Sequence, residues 1–141
     1  MILETRDGVR ATADKNTMMI SNLLRTVAES FEEDDMVETE IPLPNVDGHV
    51  LDRIIEYCKY HYVEPMKTIP RPLPPDGKLS GVIQTWYVDF IESFATMESL
   101  YELIQAAHYM DIAPLQELGC ARIANLIRGK EPGEIKQILG L

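Results

Sequence analysis

The chain has 141 residues, one domain's worth, and 45% of them are apolar, so a core can be buried without disulfide or metal support. Its formal net charge of −10, from 23 acidic against 13 basic residues, argues against a nucleic-acid-binding surface, which needs clustered Lys and Arg, and favours partners with basic surfaces. Its two cysteines, Cys58 and Cys120, both fall inside apolar helical patterns and are expected as buried free thiols. With no leader peptide and no run of about 20 apolar residues, the reading is a reducing compartment, cytoplasmic and nuclear, with no membrane partner.

Residues 2–5 read as a short strand, Asp7-Gly8 as a turn and residues 9–13 as the returning strand. Met18, Ile20, Leu23, Leu24 and Val27 then recur at helical spacing, which predicts one amphipathic helix capped by Asn16 or Thr17. Glu29, Glu32, Glu33, Asp34, Asp35, Glu38 and Glu40 form an acidic connection whose like charges repel. A third strand over 37–43 leads into a Pro44-Asn45 turn. The next helix, 48–60, carries Val50, Leu51, Ile54, Ile55 and Cys58 on one face. Of Tyr57, Tyr60 and Tyr62, two are expected half-buried and one exposed.

From 64 to 81, Pro65, Pro70, Pro72, Pro74, Pro75, Gly77 and Gly81 forbid a regular element over most of the stretch. It reads as a mobile, Pro-rich excursion, of which residues 67–81 are expected to contribute little to folding. A short helix over 86–94 follows, with Val88, Phe90 and Ile91. Leu100, Leu103, Ile104 and Ala107 then mark one helix. Leu115, Leu118, Ile123, Leu126 and Ile127 mark the next, with Pro114 tolerated in its first turn. The last helix, 132–139, sets Ile135, Ile138 and Leu139 to one side. Strands confined to the first third, with helices after them, give an α+β fold class.

Catalytic and metal chemistry find no support in the sequence. His49, His61 and His108 lie in separate segments without fixed spacing to a nucleophile. Cys58 and Cys120 form no C-x-x-C, and no H-x-x-x-H occurs, so no zinc site is expected. The glycines make no phosphate-cradling loop, and the acidic run lacks the Asp/Asn alternation of a calcium loop. No catalytic residue, no metal site and no cofactor are expected.

The order of residue types carries more information. Ala106-Ala107-His108-Tyr109-Met110-Asp111-Ile112 resembles the A-A-N-Y-L-D-I segment of the Skp-type adaptors, the small proteins that link F-box proteins to cullins in SCF ubiquitin ligases. Pro42-Leu43-Pro44-Asn45-Val46 is similar to that family's P-L-P-N-V, and Tyr57-Cys58-Lys59-Tyr60-His61 to its W-C-x-x-H. Trp86 and Phe90 match W-D-x-x-F, with Tyr87 in place of the Asp. Ala124-Asn125-Leu126-Ile127-Arg128-Gly129-Lys130 and Pro132-Gly133-Glu134-Ile135 resemble A-N-M-I-K-G-K and P-E-E-I. These segments follow one another in the family's order over nearly the whole chain.

The resemblance implies a BTB/POZ-like domain over 1–112, a small three-stranded sheet with a helical cluster, and C-terminal helices over 113–141 that form part of an F-box-binding region. It implies a non-catalytic adaptor that bridges cullin and F-box protein as a heterodimer or larger complex. The implied cullin-binding residues are His108, Tyr109, Asn45 and Val46. The implied F-box-binding residues are Ile123, Leu126, Ile127, Pro132, Ile135, Ile138 and Leu139, part of whose apolar surface is expected to be exposed. The family continues past the position of Leu141 into two further helices that close over the F-box. Besides Tyr87, three departures stand out: His108 replaces the family's Asn, Glu131 replaces a capping Thr, and the 64–81 excursion lacks the family's acidity. A self-associating BTB scaffold and an elongin C-like adaptor stay open as alternatives.

Overall fold

The computed structural model describes residues 1–30, 40–69 and 79–139. The chain divides into two compact units, Met1–Pro65 with Gln105–Ala113, and Met66–Ile104 with Pro114–Leu141. Among the described residues the architecture is the expected α+β one, a three-stranded sheet and seven helices. The acidic connection apart from its two ends, the 37–39 part of the expected third strand and the centre of the Pro-rich excursion, 70–78, lie outside the described residues.

In the first unit, strand β1 (Ile2–Thr5) is central. It pairs antiparallel with β2 (Arg10–Thr12) and parallel with β3 (Glu40–Leu43). Alternation along each strand puts Leu3 and Thr5 of β1 on the buried side, in register with the buried Ile41 and Leu43 of β3. Pro42 lacks an N–H and is tolerated because β3 is an edge strand. The β1–β2 turn closes through the Gly8 N–H to the Thr5 carbonyl at 3.1 Å, and Gly8 has a φ of 82°, where a Cβ would be strained. Asp7 accepts a hydrogen bond from the Thr5 hydroxyl and another from the Gly48 N–H, at 3.0 Å for the latter. The hydroxyl bond, first among these, holds the Asp7 carboxyl below its ordinary pKa.

The single amphipathic helix expected over Met18 to Val27 is two helices. Helix α1 (Lys15–Met18) is capped by Asp14, whose carboxylate accepts from the Asn16 N–H at 2.8 Å. Helix α2 (Asn22–Glu29) is capped by Ser21. The apolar spacing runs through the break, which is why periodicity misses it, and neither Asn16 nor Thr17 is a cap; Thr17 is buried instead. Helix α3 (Gly48–Val63) is longer than expected and buries Val50, Leu51, Ile54, Ile55, Tyr57 and Cys58. Tyr57 is fully buried, Tyr60 half-buried and Tyr62 exposed. Tyr60 donates to Glu64 at 2.7 Å, and this bond raises the phenol's pKa.

The second unit holds a 3₁₀ turn (Leu79–Gly81), helix α4 (Thr85–Glu92), most of α5 (Met97–Met110), nearly all of α6 (Ala113–Ile127) and α7 (Pro132–Leu139). Trp86 stacks on Phe90 with ring centroids 5.2 Å apart, and Phe90 meets Phe94 edge-on at 5.5 Å. Both ends of the Pro-rich excursion are tied down. Ile69 and Leu79 are buried, and the Lys67 N–H donates to the Gln84 side-chain carbonyl at 3.0 Å. The expectation that 67–81 contributes little to folding is therefore corrected at these ends.

Gly119 of α6 lies close against a side chain, since a Cβ there would lie 2.5 Å from Cγ1 of Ile104. Gly119→Ala is expected to destabilise the protein by about 1–3 kcal/mol through overpacking. Adding Ile104→Ala, which costs stability alone, should make the pair less destabilising than the sum, as read by denaturant titration of the full cycle.

The cysteines also separate. Cys58 is buried, and desolvation pushes its thiol up to about 12, whereas Cys120 is exposed, contrary to expectation. Leu115, Leu118 and Gly119 point one side of α6 inward, and Cys120 falls outside that stripe despite its apolar neighbours. A neutral-pH thiol reagent should label Cys120 in the folded protein and Cys58 only after denaturant is added, as mass spectrometry of the labelled peptides would read.

Candidate functional site

The segment that carried the strongest sequence signal is a helix stop. At the end of α5 the Asp111 N–H donates to the His108 carbonyl at 3.1 Å and the Ile112 N–H to the Ala107 carbonyl at 2.9 Å. Asp111 adopts a φ of 55°, the left-handed conformation that closes helices and that Asp tolerates better than most residues. Met110 and Ile112 go into the core on either side of it, while His108 is exposed and Tyr109 half-buried. Burying the two apolar flanks turns the His108-Tyr109 pair outward.

The start of α2 is bonded to this stop. Ser21, fully buried, accepts from the Leu24 N–H at 3.2 Å as the N-cap and donates its hydroxyl to the Met110 carbonyl at 2.5 Å. The Asn22 N–H donates to the Asp111 carbonyl at 3.1 Å, and the Asn22 side-chain amide donates to the Asp111 carboxylate at 3.1 Å. Two helix ends thus satisfy each other's unpaired backbone groups.

Beside this junction lies a groove of about 210 Å³ lined by Leu23 and Val27 of α2, Glu40, Ile41 and Pro42 of β3, and Tyr109 of α5. Leu23 and Val27, four residues apart, lie on the half-buried side of α2, whereas Leu24 and Ala28 lie on its buried side. At the groove's polar edge Glu40 is paired with Arg10 at 3.0 Å. The walls are otherwise apolar and suit one apolar or aromatic side chain of a partner.

Of the residues expected at a cullin surface, Tyr109 lines this groove, His108 is exposed beside it in sequence, and Asn45 is exposed in the turn after β3. Val46 is corrected. It is only 1% exposed, its carbonyl accepts from the Arg6 N–H at 2.9 Å, and its side chain belongs to the core. Sequence reasoning missed Leu23, Val27 and Pro42 as groove residues. The available signal was a pair of apolar faces on one short helix, which spacing alone assigns entirely to the core.

The second expected surface lies in the second unit. Ile123, Leu126 and Ile127 near the end of α6 are half-exposed, and Gly129, at a φ of 72°, closes that helix. Helix α7 buries none of its residues; Ile135, Ile138 and Leu139 are half-exposed and Pro132 is exposed. Two successive helices therefore present apolar side chains on an incompletely covered face.

These features have counterparts in known proteins. Residues 1–63 match the model of the Skp1 family tetramerisation domain, and residues 113–141 that of the Skp1 family dimerisation domain. The E3 ubiquitin ligase complex SCF subunit sconC of Arthroderma otae is 34% identical over 143 aligned positions, covering 99% of this chain and 81% of that protein. The S-phase kinase-associated protein 1 homolog of Tetrahymena thermophila is 35% identical, covering 90% of this chain and 70% of that protein. SKP1-like protein 13 of Arabidopsis thaliana is 33% identical, covering 83% and 70%. With both family domains matched in order and an alignment at 34% identity that covers 99% of the chain, the chain belongs to the Skp1 family.

Proposed function

We propose that this chain is a non-catalytic adaptor of an SCF-type ubiquitin ligase, holding a cullin through the Tyr109 groove and an F-box protein through the face of α6 and α7. It would work in the cytoplasm and nucleus as part of a heterodimer or larger complex. The observation that carries this reading is the half-buried Tyr109, turned out of the core by the helix stop at Asp111 and set beside an apolar groove. The reading is further supported by the similarity to proteins described as SCF subunits. An adaptor's work is geometric: it fixes two partners at one distance, and affinity comes from a few desolvated anchors at each surface.

On the cullin side the anchor is Tyr109. His108, in place of the family's Asn, keeps a hydrogen-bonding group there but adds bulk. On the F-box side the anchors are Ile123, Leu126, Ile127, Ile135, Ile138 and Leu139, whose partly exposed surface a partner helix would cover. Pro132 starts α7, where its missing N–H costs nothing.

Tyr109→Lys is expected to weaken binding to a cullin N-terminal repeat by about 2 kcal/mol or more, with the circular dichroism spectrum and F-box binding unchanged. An unfolded variant would make Tyr109 a core residue and overturn the assignment. On the other surface, amides of residues 134–139 should exchange quickly in the free chain, because no residue of α7 is buried, and slow when an F-box peptide is added. Protection unchanged by the peptide would remove α7 from the F-box site.

A further inference from the structure

We infer that Asn22 is a positioning residue for the Tyr109 groove: through Asp111 it locks the start of α2 onto the stop of α5, and so sets the distance between the two helical walls of the binding site. This rests on the adaptor reading for its binding consequence, but its geometric part stands on the first unit alone. The groove's helical walls are Leu23 and Val27 on one side and Tyr109 on the other. Leu23 follows Asn22 directly, and Tyr109 lies two residues before Asp111. The Asn22–Asp111 contacts, a backbone bond and a side-chain bond of 3.1 Å each, therefore sit at the junction of the two walls.

Ser21 ties the start of α2 to the same stop at one point, its hydroxyl bond to the Met110 carbonyl, while Leu24 and Ala28 bury the inner side of the helix. The two Asn22 bonds to Asp111 add a second and a third tie on the exposed side of the junction. Asp111 is suited to the task because it combines a left-handed backbone with a carboxylate that can accept. Asn22 is also held from its own helix, since its side-chain carbonyl accepts from Arg25. The amide is thereby oriented with its N–H₂ toward Asp111 and its oxygen toward Arg25.

The orientation makes a swap test available. Asn22→Asp keeps a good partner for Arg25 and a favourable acid in the first turn of α2, but sets two carboxylates against each other at Asp111. Asn22→Asp with Asp111→Asn restores a donor–acceptor pair with the roles reversed, and Asn tolerates the left-handed conformation. Binding of the full chain to a cullin N-terminal repeat is measured by calorimetry, alongside binding to an F-box peptide. The Tyr109 ring resonances are followed by NMR in the free chain.

Asn22→Asp should lower affinity for the cullin repeat about tenfold and shift the Tyr109 ring signals, while F-box binding holds. The double variant should recover to within about threefold of the parent in both readouts. Asn22→Ala, which loses the side-chain bond without adding charge, should fall between the two and serves as the test if Asn22→Asp fails to fold. Unchanged cullin affinity and unchanged Tyr109 signals in folded Asn22→Asp or Asn22→Ala would overturn the inference. So would a loss in Asn22→Asp that the swap does not recover, since Asn22 would then be acting by direct contact. If the parent chain binds no cullin repeat, the adaptor reading fails, and the Tyr109 signals alone decide whether Asn22 positions the groove.

Discussion

The parallel pairing of β1 with β3 is the constraint on which the first unit depends. Parallel neighbours cannot be joined by a tight turn, so the chain must leave the sheet after β2 and return on the other side of β1, running in the direction of β1. Helices α1 and α2 lie on that path. The crossover is what brings Leu23 and Val27 alongside the edge strand that carries Glu40, Ile41 and Pro42, and the site is built on it. Shifting β3 by one residue would turn Ile41 and Leu43 outward and remove both the core face and one wall of the groove.

The remaining wall is brought in by helix ends. Helix α5 stops at Asp111 because its flanks Met110 and Ile112 are both buried, and a single left-handed residue between them is the shortest way to bury both. The stop leaves backbone carbonyls unpaired at Met110 and Asp111, and the start of α2 supplies the donors. Function and folding therefore share the same few hydrogen bonds: the group that closes one helix also opens the other, and Tyr109 is placed as a consequence.

Much of this was legible in the sequence, and the failures have identifiable causes. The Asp7-Gly8 turn and β1 were readable because turn chemistry and period-two alternation are local. Helix α7 and its apolar side were readable for the same reason, with Pro132 marking the start. The break between α1 and α2 was not, because Met18, Ile20, Leu23 and Leu24 keep helical spacing across it. Only the burial of Ser21 against a residue far along the chain explains why the helix ends there. Cys120 misled because its neighbours are apolar while its angular position on α6 is not on the buried side. Val46 misled because resemblance groups it with Asn45, whereas the turn after β3 sends the two side chains to opposite environments, one exposed and one in the core. The excursion's ends misled because prolines announce irregular backbone but say nothing of whether a flanking Ile69 or Leu79 is buried.

An adaptor of the proposed kind must offer two independent surfaces to two partners at once. Analytical ultracentrifugation of the full chain mixed with a cullin N-terminal repeat and an F-box peptide reads this out. A single ternary species with one copy of each is expected, formed whichever partner is added first. A chain that self-associates and excludes both partners, or in which the two partners displace each other, would contradict it.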